Sequence, residues 1–415
     1  MKNEKCKSNT SFYIHLLQKN LITDNTKKLS KNKLFLKTKQ NEKYAKNIFK
    51  YITPKELLNK LNLKTKFIGI TGTNGKTTTA FVLSFLLRKL GFSVATQGTE
   101  GFFVNGEKKE EKTLTTPPIL TTIKRVFNYK PDFFVMEVSS HAIAQNRIEG
   151  IDFFAKAFTS FSQDHLDFHK TLNEYKKVKE SFLQDEAIKV VAGNRKEEYV
   201  EIGGVDFRFN KKNLFVIEKP VVEDIPMAGD FNKMNFSLAL KMASLLSKKE
   251  IDELKKFIPL FGGVSGRMEI VSKEPLVIVD FAHTPDGMER VLSSIEGEKI
   301  VVFGAGGERD RDKRKKMGEV AGKLADYIIL TEDNPRCEDK KEICKEISKG
   351  IKKAPFEIVL DRKEAIKKGL LLAKRKKASL FVLGKGDEEA IEYCKEKRKF
   401  KDKEVIQCLR EELGI

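Results

Sequence analysis

Short apolar runs of strand length, separated by helical stretches, recur along this chain from residue 67 onward. Such runs fall at 67–71, 92–96, 133–138, 155–159 and 188–192, with a helix expected from residue 76 to about Leu90 and another over 231–246. A glycine-rich hinge at 262–269 interrupts the pattern, which restarts with runs at 276–281, 299–303, 327–330, 356–360 and 379–383. Apolar runs of this length alternating with helices predict βαβ units and a mostly parallel sheet. The fold class expected is therefore α/β with three domains. A small polar N-terminal domain covers 1–66, whose one apolar cluster is at 33–37; a central domain covers 67–264; a C-terminal Rossmann-like domain covers 265–415.

Composition narrows the function classes. None of the apolar runs approaches the roughly 20 residues needed to span a bilayer, so no membrane insertion is expected. The N-terminus is polar and lysine-rich without a following apolar stretch, which argues against a secretory signal and for the cytoplasm. Five cysteines, Cys6, Cys337, Cys344, Cys394 and Cys408, contain no C-x-x-C pair and read as free thiols. The formal net charge is +20. Lysines are spread through every segment opposite many glutamates, with no aromatic-and-basic stripe, so solvated faces are favoured over a nucleic-acid partner. A small polyanionic substrate is compatible with the same charge.

Chemistry enters at Ile70-Thr-Gly-Thr-Asn-Gly-Lys-Thr-Thr-Thr79, between a predicted strand and a predicted helix. Gly72 and Gly75 let backbone N–H groups turn toward phosphate oxygens, Lys76 adds charge, and the Thr77 hydroxyl can reach Mg²⁺. The strict pattern would place glycine at position 70, where this chain has isoleucine, so the loop is a variant. Farther along, Glu137 ends an apolar run in Met-Glu-Val-Ser-Ser-His141, where a carboxylate suits a Mg²⁺ ligand.

The loop resembles the ATP loop of Mur ligases and folylpolyglutamate synthases, and further Mur-like segments follow in the family's order. Phe161-Ser-Gln-Asp-His-Leu-Asp-Phe-His169 and Glu174-Tyr-Lys-Lys-Val-Lys179 resemble the pattern in which a histidine, here His165, helps hold a second Mg²⁺ and a lysine, here Lys179, is carbamylated into a metal ligand. Read without the family, His165 could equally cap or pack, and Lys179 is one lysine among several. Gly229-Asp-Phe-Asn-Lys-Met-Asn235 resembles the segment whose first asparagine, here Asn232, contacts the nucleotide. Gly266-Arg-Met-Glu269 and the run ending at Asp280 resemble C-terminal pieces that close over ATP, with Arg267 toward phosphates and Asp280 toward the ribose. The resemblance thus implies an ATP site of Gly72, Thr73, Asn74, Gly75, Lys76, Thr77, Thr78, Asn232, Arg267 and Asp280. It implies metal ligands at Thr77, Glu137, His165 and carbamylated Lys179, and a catalytic set of Lys76, His165 and Lys179.

Three segments bear on which substrates such a ligase takes. Thr115, Thr116, Ser139, Gln145 and Arg147 resemble the family's contacts to UDP-MurNAc-L-Ala-D-Glu, and the N-terminal domain is expected to hold the UDP end. Asp333-Asn-Pro-Arg336, with Arg309, Gly384 and Glu388, resembles the pocket of the members that add meso-diaminopimelate. Two arginines for a carboxylate and a glutamate for an ammonium suit the distal zwitterion of that amino acid. The resemblance implies an ATP-dependent amide ligase acting as a monomer, with a lysine-adding or folylpolyglutamate-type ligase as the alternative and a nucleic-acid ATPase as a rival from another class. The chain departs from the family at Asp387, where Gly-Lys-Gly-His-Glu is usual, and in a short N-terminal domain whose Asp24-Asn-Thr26 matches only part of the usual Asp-Ser-Arg.

Overall fold

The computed structural model describes residues 10–111 and 114–415, and these divide into two compact units. The first comprises residues up to Pro220 together with Asn235–Phe257, the second Val221–Met234 with Ile258–Ile415. Cys6 lies outside the described residues.

In the first unit, the cluster at 33–37 becomes the strand Leu34–Leu36, the middle of a small parallel sheet flanked by Ile22–Thr23 and Tyr51–Ile52. Thr53 starts the helix Pro54–Leu61 with a capping box: its hydroxyl accepts from Glu56 N–H while the Glu56 carboxylate accepts from Thr53 N–H. Leu34, Leu36, Leu57 and Leu61 share a buried core with Phe67 and Phe134 of the neighbouring large sheet and Ile123 of the helix Ile119–Tyr129. The expected N-terminal domain therefore has its own sheet but no separate core.

The large sheet of this unit runs, edge to edge, Leu214–Ile217, Ile188–Ala192, Phe153–Phe158, Lys66–Thr71, Phe133–Glu137, Val94–Gly98, Gly101–Val104 and Glu107–Glu110. The first six strands are parallel and the last two pair antiparallel. Lys66–Thr71 is central and almost wholly buried, which explains its unbroken apolar run. Phe133–Glu137 and Phe153–Phe158 flank it on opposite sides, so the loop after Thr71 opens at a point where chain order reverses, the usual place for a ligand crevice in such sheets.

The second unit carries a six-stranded sheet in the order Glu269–Lys273, Leu276–Asp280, Ser379–Leu383, Lys299–Phe303, Tyr327–Leu330, Phe356–Ile358, parallel except for its first strand. Segment 221–234, expected with the central domain, packs here: Ala228 and Phe231 lie against the core around Met268, Met288 and Phe303. The ends of the Tyr327–Leu330 and Ser379–Leu383 strands are held by Arg362, fully buried at the start of the helix Arg362–Lys376. Its guanidinium donates to Glu332 O at 3.1 Å and Leu383 O at 3.0 Å and forms a two-pronged pair with buried Asp402 at 2.7 and 2.8 Å. A buried charge of this kind is tolerable because every prong has a partner. Its location matters, since Glu332 and Leu383 immediately precede Asp333 and Gly384.

The cysteine reading needs a correction. Cys337 and Cys394 are joined as a disulfide, while Cys344 is buried and Cys408 exposed as free thiols. The 57-residue separation carries no spacing signal; the pair is created by the parallel bridge between Arg336 and Tyr393, each the residue just before a cysteine.

Candidate active site

The phosphate loop of the first unit follows directly from its sequence. Strand Lys66–Thr71 delivers Gly72 through Gly75, and the helix Lys76–Lys89 begins at once, with buried Thr77 and Thr78 in its first turn. Gly75 caps that helix at φ +84°, a conformation side chains resist, and a Cβ there would stand 2.3 Å from Asn235 Oδ1. The loop is braced from the side by residue 160: Thr73 N donates to Ser160 O at 2.8 Å and Asn74 N to Ser160 Oγ at 3.0 Å. Lys76 folds over its own loop, its ammonium donating to Gly72 O and Thr73 O, both at 2.8 Å.

Glu137 ends its strand with 1 % exposure, and its carboxylate accepts from Thr77 Oγ1 at 3.1 Å, Thr99 N at 3.0 Å and Thr99 Oγ1 at 3.2 Å. Thr77 and Glu137 thus present hard oxygen donors beside the phosphate loop, the donor type Mg²⁺ takes when it also binds phosphate oxygens. Among the described residues no group of three or more His, Cys, Asp or Glu is arranged as a metal site. The fit to Mg²⁺ therefore depends on the threonine hydroxyl and on what Lys179 becomes.

Lys179 is on the helix Leu172–Ser181, which Thr171 caps, and is 1 % exposed. Its amine donates to Gly72 O at 2.8 Å and Thr71 Oγ1 at 3.2 Å, directly under the loop. Burial pushes its pKa well down, the neighbouring Lys76 charge pushes the same way, and Asp164 opposes both. The shift favours the neutral amine, the form that can add to CO₂ and lose one proton to become a carbamate. Tyr175, one turn earlier on the same helix, shares a hydrogen bond with Thr73 Oγ1 at 3.0 Å and fixes the helix to the loop. His165 takes the left-handed conformation at φ +55°, uncommon for such a residue. Its pKa is lowered to about 4, first by burial and then by His141, Lys76 and Lys179, against the pull of Asp164 at 3.3 Å. It is a neutral imidazole, the form able to ligate a metal.

The residues expected to hold the nucleotide-linked substrate come together as well. Thr116 Oγ1 donates to Glu137 O at 2.9 Å and accepts from Ser139 N at 3.1 Å; Arg147 reaches Thr116 O at 3.1 Å and Gln145 Oε1 at 2.5 Å; Thr115 Oγ1 is 3.2 Å from Thr99 Oγ1. This cluster adjoins the Glu137 carboxylate.

In the second unit, the loop after Tyr327–Leu330 and the loop after Ser379–Leu383 converge. Asn334 Nδ2 donates to Glu388 Oε2 at 2.7 Å, and fully buried Lys385 donates to Asn334 Oδ1, Glu388 Oε2 and Ala390 O at 3.1, 3.0 and 2.7 Å. Gly384, at φ +107°, lets the second loop pass Asp333, whose carboxylate would lie 2.4 Å from a Cβ there. Pro335 and Gly307 are equally close, and Gly307 N donates to Asn334 O at 2.9 Å. Arg336, at φ +51°, turns its guanidinium onto Gly307 O at 2.7 Å, and a Cβ at Gly306 would find Arg336 Nη1 at 3.1 Å and Arg309 Cγ at 3.5 Å. Asp333, Asn334, Pro335, Arg336, Gly384 and Glu388 are thus brought together by these two loops, and the stem of Arg309 approaches Gly306 beside them.

The other expected nucleotide contacts in this unit have structural partners. Arg267 lies over the Phe281 ring at 4.4 Å, and buried Asp280 accepts from Met268 N and Ala282 N, both at 2.7 Å. Burial raises the Asp280 pKa, while Arg267 and those N–H groups pull it back. Asn232, 1 % exposed, donates to Ala228 O at 2.7 Å. Sequence reading did not single out Thr99, Asn235 or Lys385, and it used Tyr175 only to mark the segment of Lys179. Asn235 and Lys385 were within reach, since each stands inside a segment already chosen, Gly229–Asn235 and Gly384–Glu388.

Residues 70–202 match the Mur ligase middle domain and residues 266–386 the Mur ligase, glutamate ligase domain. The chain is 40 % identical over 427 residues to the UDP-N-acetylmuramoyl-L-alanyl-D-glutamate--2,6-diaminopimelate ligase of Helicobacter pylori J99, covering 93 % of this chain and 94 % of that protein. It is 38 % identical to the protein of the same name from Wolinella succinogenes, covering 97 % and 99 %. Among solved structures, a diaminopimelate ligase of that name superposes with a TM-score of 0.60 at 24 % identity over 95 % of each chain. A Mycobacterium tuberculosis folylpolyglutamate synthase complexed with ADP gives 0.63 at 14 % identity, covering 91 % of this chain and 96 % of that one. These last two likenesses concern the fold.

Proposed function

The chain belongs to the Mur ligase family of ATP-dependent amide-bond-forming ligases, and we propose that it joins meso-2,6-diaminopimelate to UDP-N-acetylmuramoyl-L-alanyl-D-glutamate in the making of a cell-wall precursor. The observation that carries this reading is the pocket in the second unit. The Arg336 guanidinium and the stem of Arg309 both approach Gly306, with Glu388 held by Asn334 and Lys385. Two guanidinium groups and a carboxylate complement a distal zwitterion, which lysine lacks. The relatives' names supply the same substrates independently.

The first unit supplies the groups for activation. A carboxylate is a poor electrophile because its leaving group would be oxide, so the D-glutamate side carboxylate first attacks the γ-phosphorus of ATP, breaking its bond to the bridging oxygen and releasing ADP. The resulting acyl phosphate has phosphate as leaving group; the amine of the amino acid adds to its carbonyl carbon, loses a proton, and expels phosphate. Backbone N–H groups of the 72–77 loop and the Lys76 ammonium hold the transferred phosphoryl group and its charge. Thr77 and Glu137 would hold one Mg²⁺, and His165 with the Lys179 carbamate a second. Bound there, the ions supply positive charge against phosphate oxygens. Thr116, Ser139 and Arg147 would orient the nucleotide-linked substrate, whose reacting carboxylate must approach in line.

The test is phosphate release coupled to product mass. All three substrates together should give the amide, and omission of any one should abolish it. Turnover with a folate and glutamate in their place would instead support a folylpolyglutamate-type ligase.

Lys179→Ala is expected to lower kcat by roughly 10²-fold, the scale of losing one preorganised electrostatic group. Acetate or another short carboxylate, filling the vacated space with a negative oxygen donor, should recover part of the rate. Full activity of the variant without additive would remove the carbamate from the mechanism.

A further inference from the structure

The loops 333–337 and 384–394 are bound to each other by one charged residue that the proposed reaction has not yet used. Glu392 stands at the end of the strand Ala390–Glu392, and its carboxylate meets Arg336 Nη2 at 3.2 Å and Lys397 Nζ at 2.5 Å. Its backbone is engaged on both sides: Arg336 N donates to Glu392 O at 2.9 Å, and Glu392 N donates to Asn334 Oδ1 at 2.9 Å. One residue farther on, Arg336 and Tyr393 form a bridge, and beyond them the Cys337–Cys394 disulfide closes the strap covalently. Ordinary surface ion pairs contribute little because two flexible side chains must be ordered to make them. Here backbone bonds and a covalent tie have already fixed where both side chains begin.

We propose that Glu392 is a positioning residue for the amino-acid pocket, setting the Arg336 guanidinium to receive the distal carboxylate of the incoming amino acid. The inference rests on the reading of this pocket given above. A guanidinium carries five N–H donors in a rigid plane. Gly307 O engages Nη1 and Glu392 engages Nη2, so two acceptors at different corners fix the plane and its direction while other donors remain for a substrate. Preorganisation of this kind strengthens binding by removing the cost of ordering the clamp. Lys397 matters in the same arrangement. It hydrogen-bonds Glu392 and, with Arg336, holds that carboxyl below its ordinary range, against burial and the Glu388 charge. Glu392 thus keeps a cationic partner when a substrate carboxylate draws on Arg336.

The experiment compares the full-length wild type with Glu392→Gln and Glu392→Ala by initial rates, varying meso-diaminopimelate at saturating ATP and nucleotide-linked dipeptide. Thermal unfolding is measured alongside. In Glu392→Ala the KM for diaminopimelate should rise about tenfold, the size of losing one positioned charge pair, with kcat and the KM for ATP within about twofold. Glu392→Gln keeps an acceptor for the guanidinium without the charge and should fall between; it carries the test if the alanine variant does not fold. With L-lysine, which has no distal carboxylate, kcat/KM should not change, so the preference for diaminopimelate narrows. An unchanged KM for diaminopimelate in both variants overturns the proposal, and so does an equal loss with both amino acids, the mark of a residue that only supports the fold. A wild type that turns over no diaminopimelate overturns the parent reading instead, and this inference with it.

Discussion

Lys76→Ala should lower kcat/KM by roughly three orders of magnitude or more, the scale on which cationic groups on a transferring phosphoryl act, while leaving the chain folded. The fold should survive because the Lys76 ammonium donates within its own loop, to Gly72 O and Thr73 O. The loop itself is kept in shape by Ser160 and by the Tyr175–Thr73 hydrogen bond. Arginine at this position should not restore the rate, since a planar fork cannot replace a compact ammonium in a tight backbone cradle. A second consequence runs through Lys179. The Lys76 charge is one of the causes that depress the Lys179 pKa, so its removal raises that pKa, leaves less neutral amine, and disfavours the carbamate. The loss in Lys76→Ala should therefore be eased in part by high bicarbonate. Circular dichroism and coupled phosphate-release kinetics on the purified variant check the pair of statements; near-normal turnover would contradict the assignment of the whole nucleotide site.

Most strands were legible because parallel strands buried on both faces read as unbroken apolar runs, and those at 188–192, 299–303, 327–330 and 379–383 are found at those residues. The run placed at 92–96 lies instead at Val94–Gly98, and the reason is local. Phe92 N donates to Leu87 O and Gly91 N to Arg88 O, so these residues still belong to the end of the preceding helix, with Gly91 at φ +89°. The short antiparallel strands Gly101–Val104 and Glu107–Glu110 were missed because the second is entirely charged and exposed. Within the site, residues in contiguous motifs could be read, since a phosphate loop needs its glycines and lysine at fixed spacing. Residues that act across loops could not. Glu392 and the Cys337–Cys394 pair depend on two loops meeting at the isolated bridge between Arg336 and Tyr393, and nothing in the local sequence of either loop encodes the other. Lys385 illustrates the boundary: its motif was recognised, but only the fold reveals that it is buried and holds Asn334 and Glu388 together.

The wild-type enzyme should use meso-diaminopimelate and hardly use L-lysine, with kcat/KM values separated by a factor on the order of 10⁴. The two amino acids share a chain with an amine near the far end and differ by one distal carboxylate. Selectivity must come from groups that reward that carboxylate, and the groups proposed for it are Arg336 and Arg309, whose side chains both approach Gly306. A methylene more or less would separate two substrates by only about 1–3 kcal/mol, but a site built around a hydrogen-bonding group penalises its absence more, because desolvated donors are left unpaired. The half-buried Arg336 guanidinium faces that penalty with lysine bound. Arg336→Ala should accordingly raise the KM for diaminopimelate with a smaller effect on kcat, since the distal end is remote from the reacting amine and its contacts are made alike in ground and transition states. The same variant should narrow the diaminopimelate-to-lysine ratio by lowering the numerator. Initial-rate measurements with each amino acid at saturating ATP and nucleotide-linked dipeptide decide the matter. Equal kcat/KM values in the wild type would refute the choice of amino acid while leaving the ligase chemistry of the first unit intact, because none of the groups around Lys76, Glu137 and Lys179 takes part in that choice.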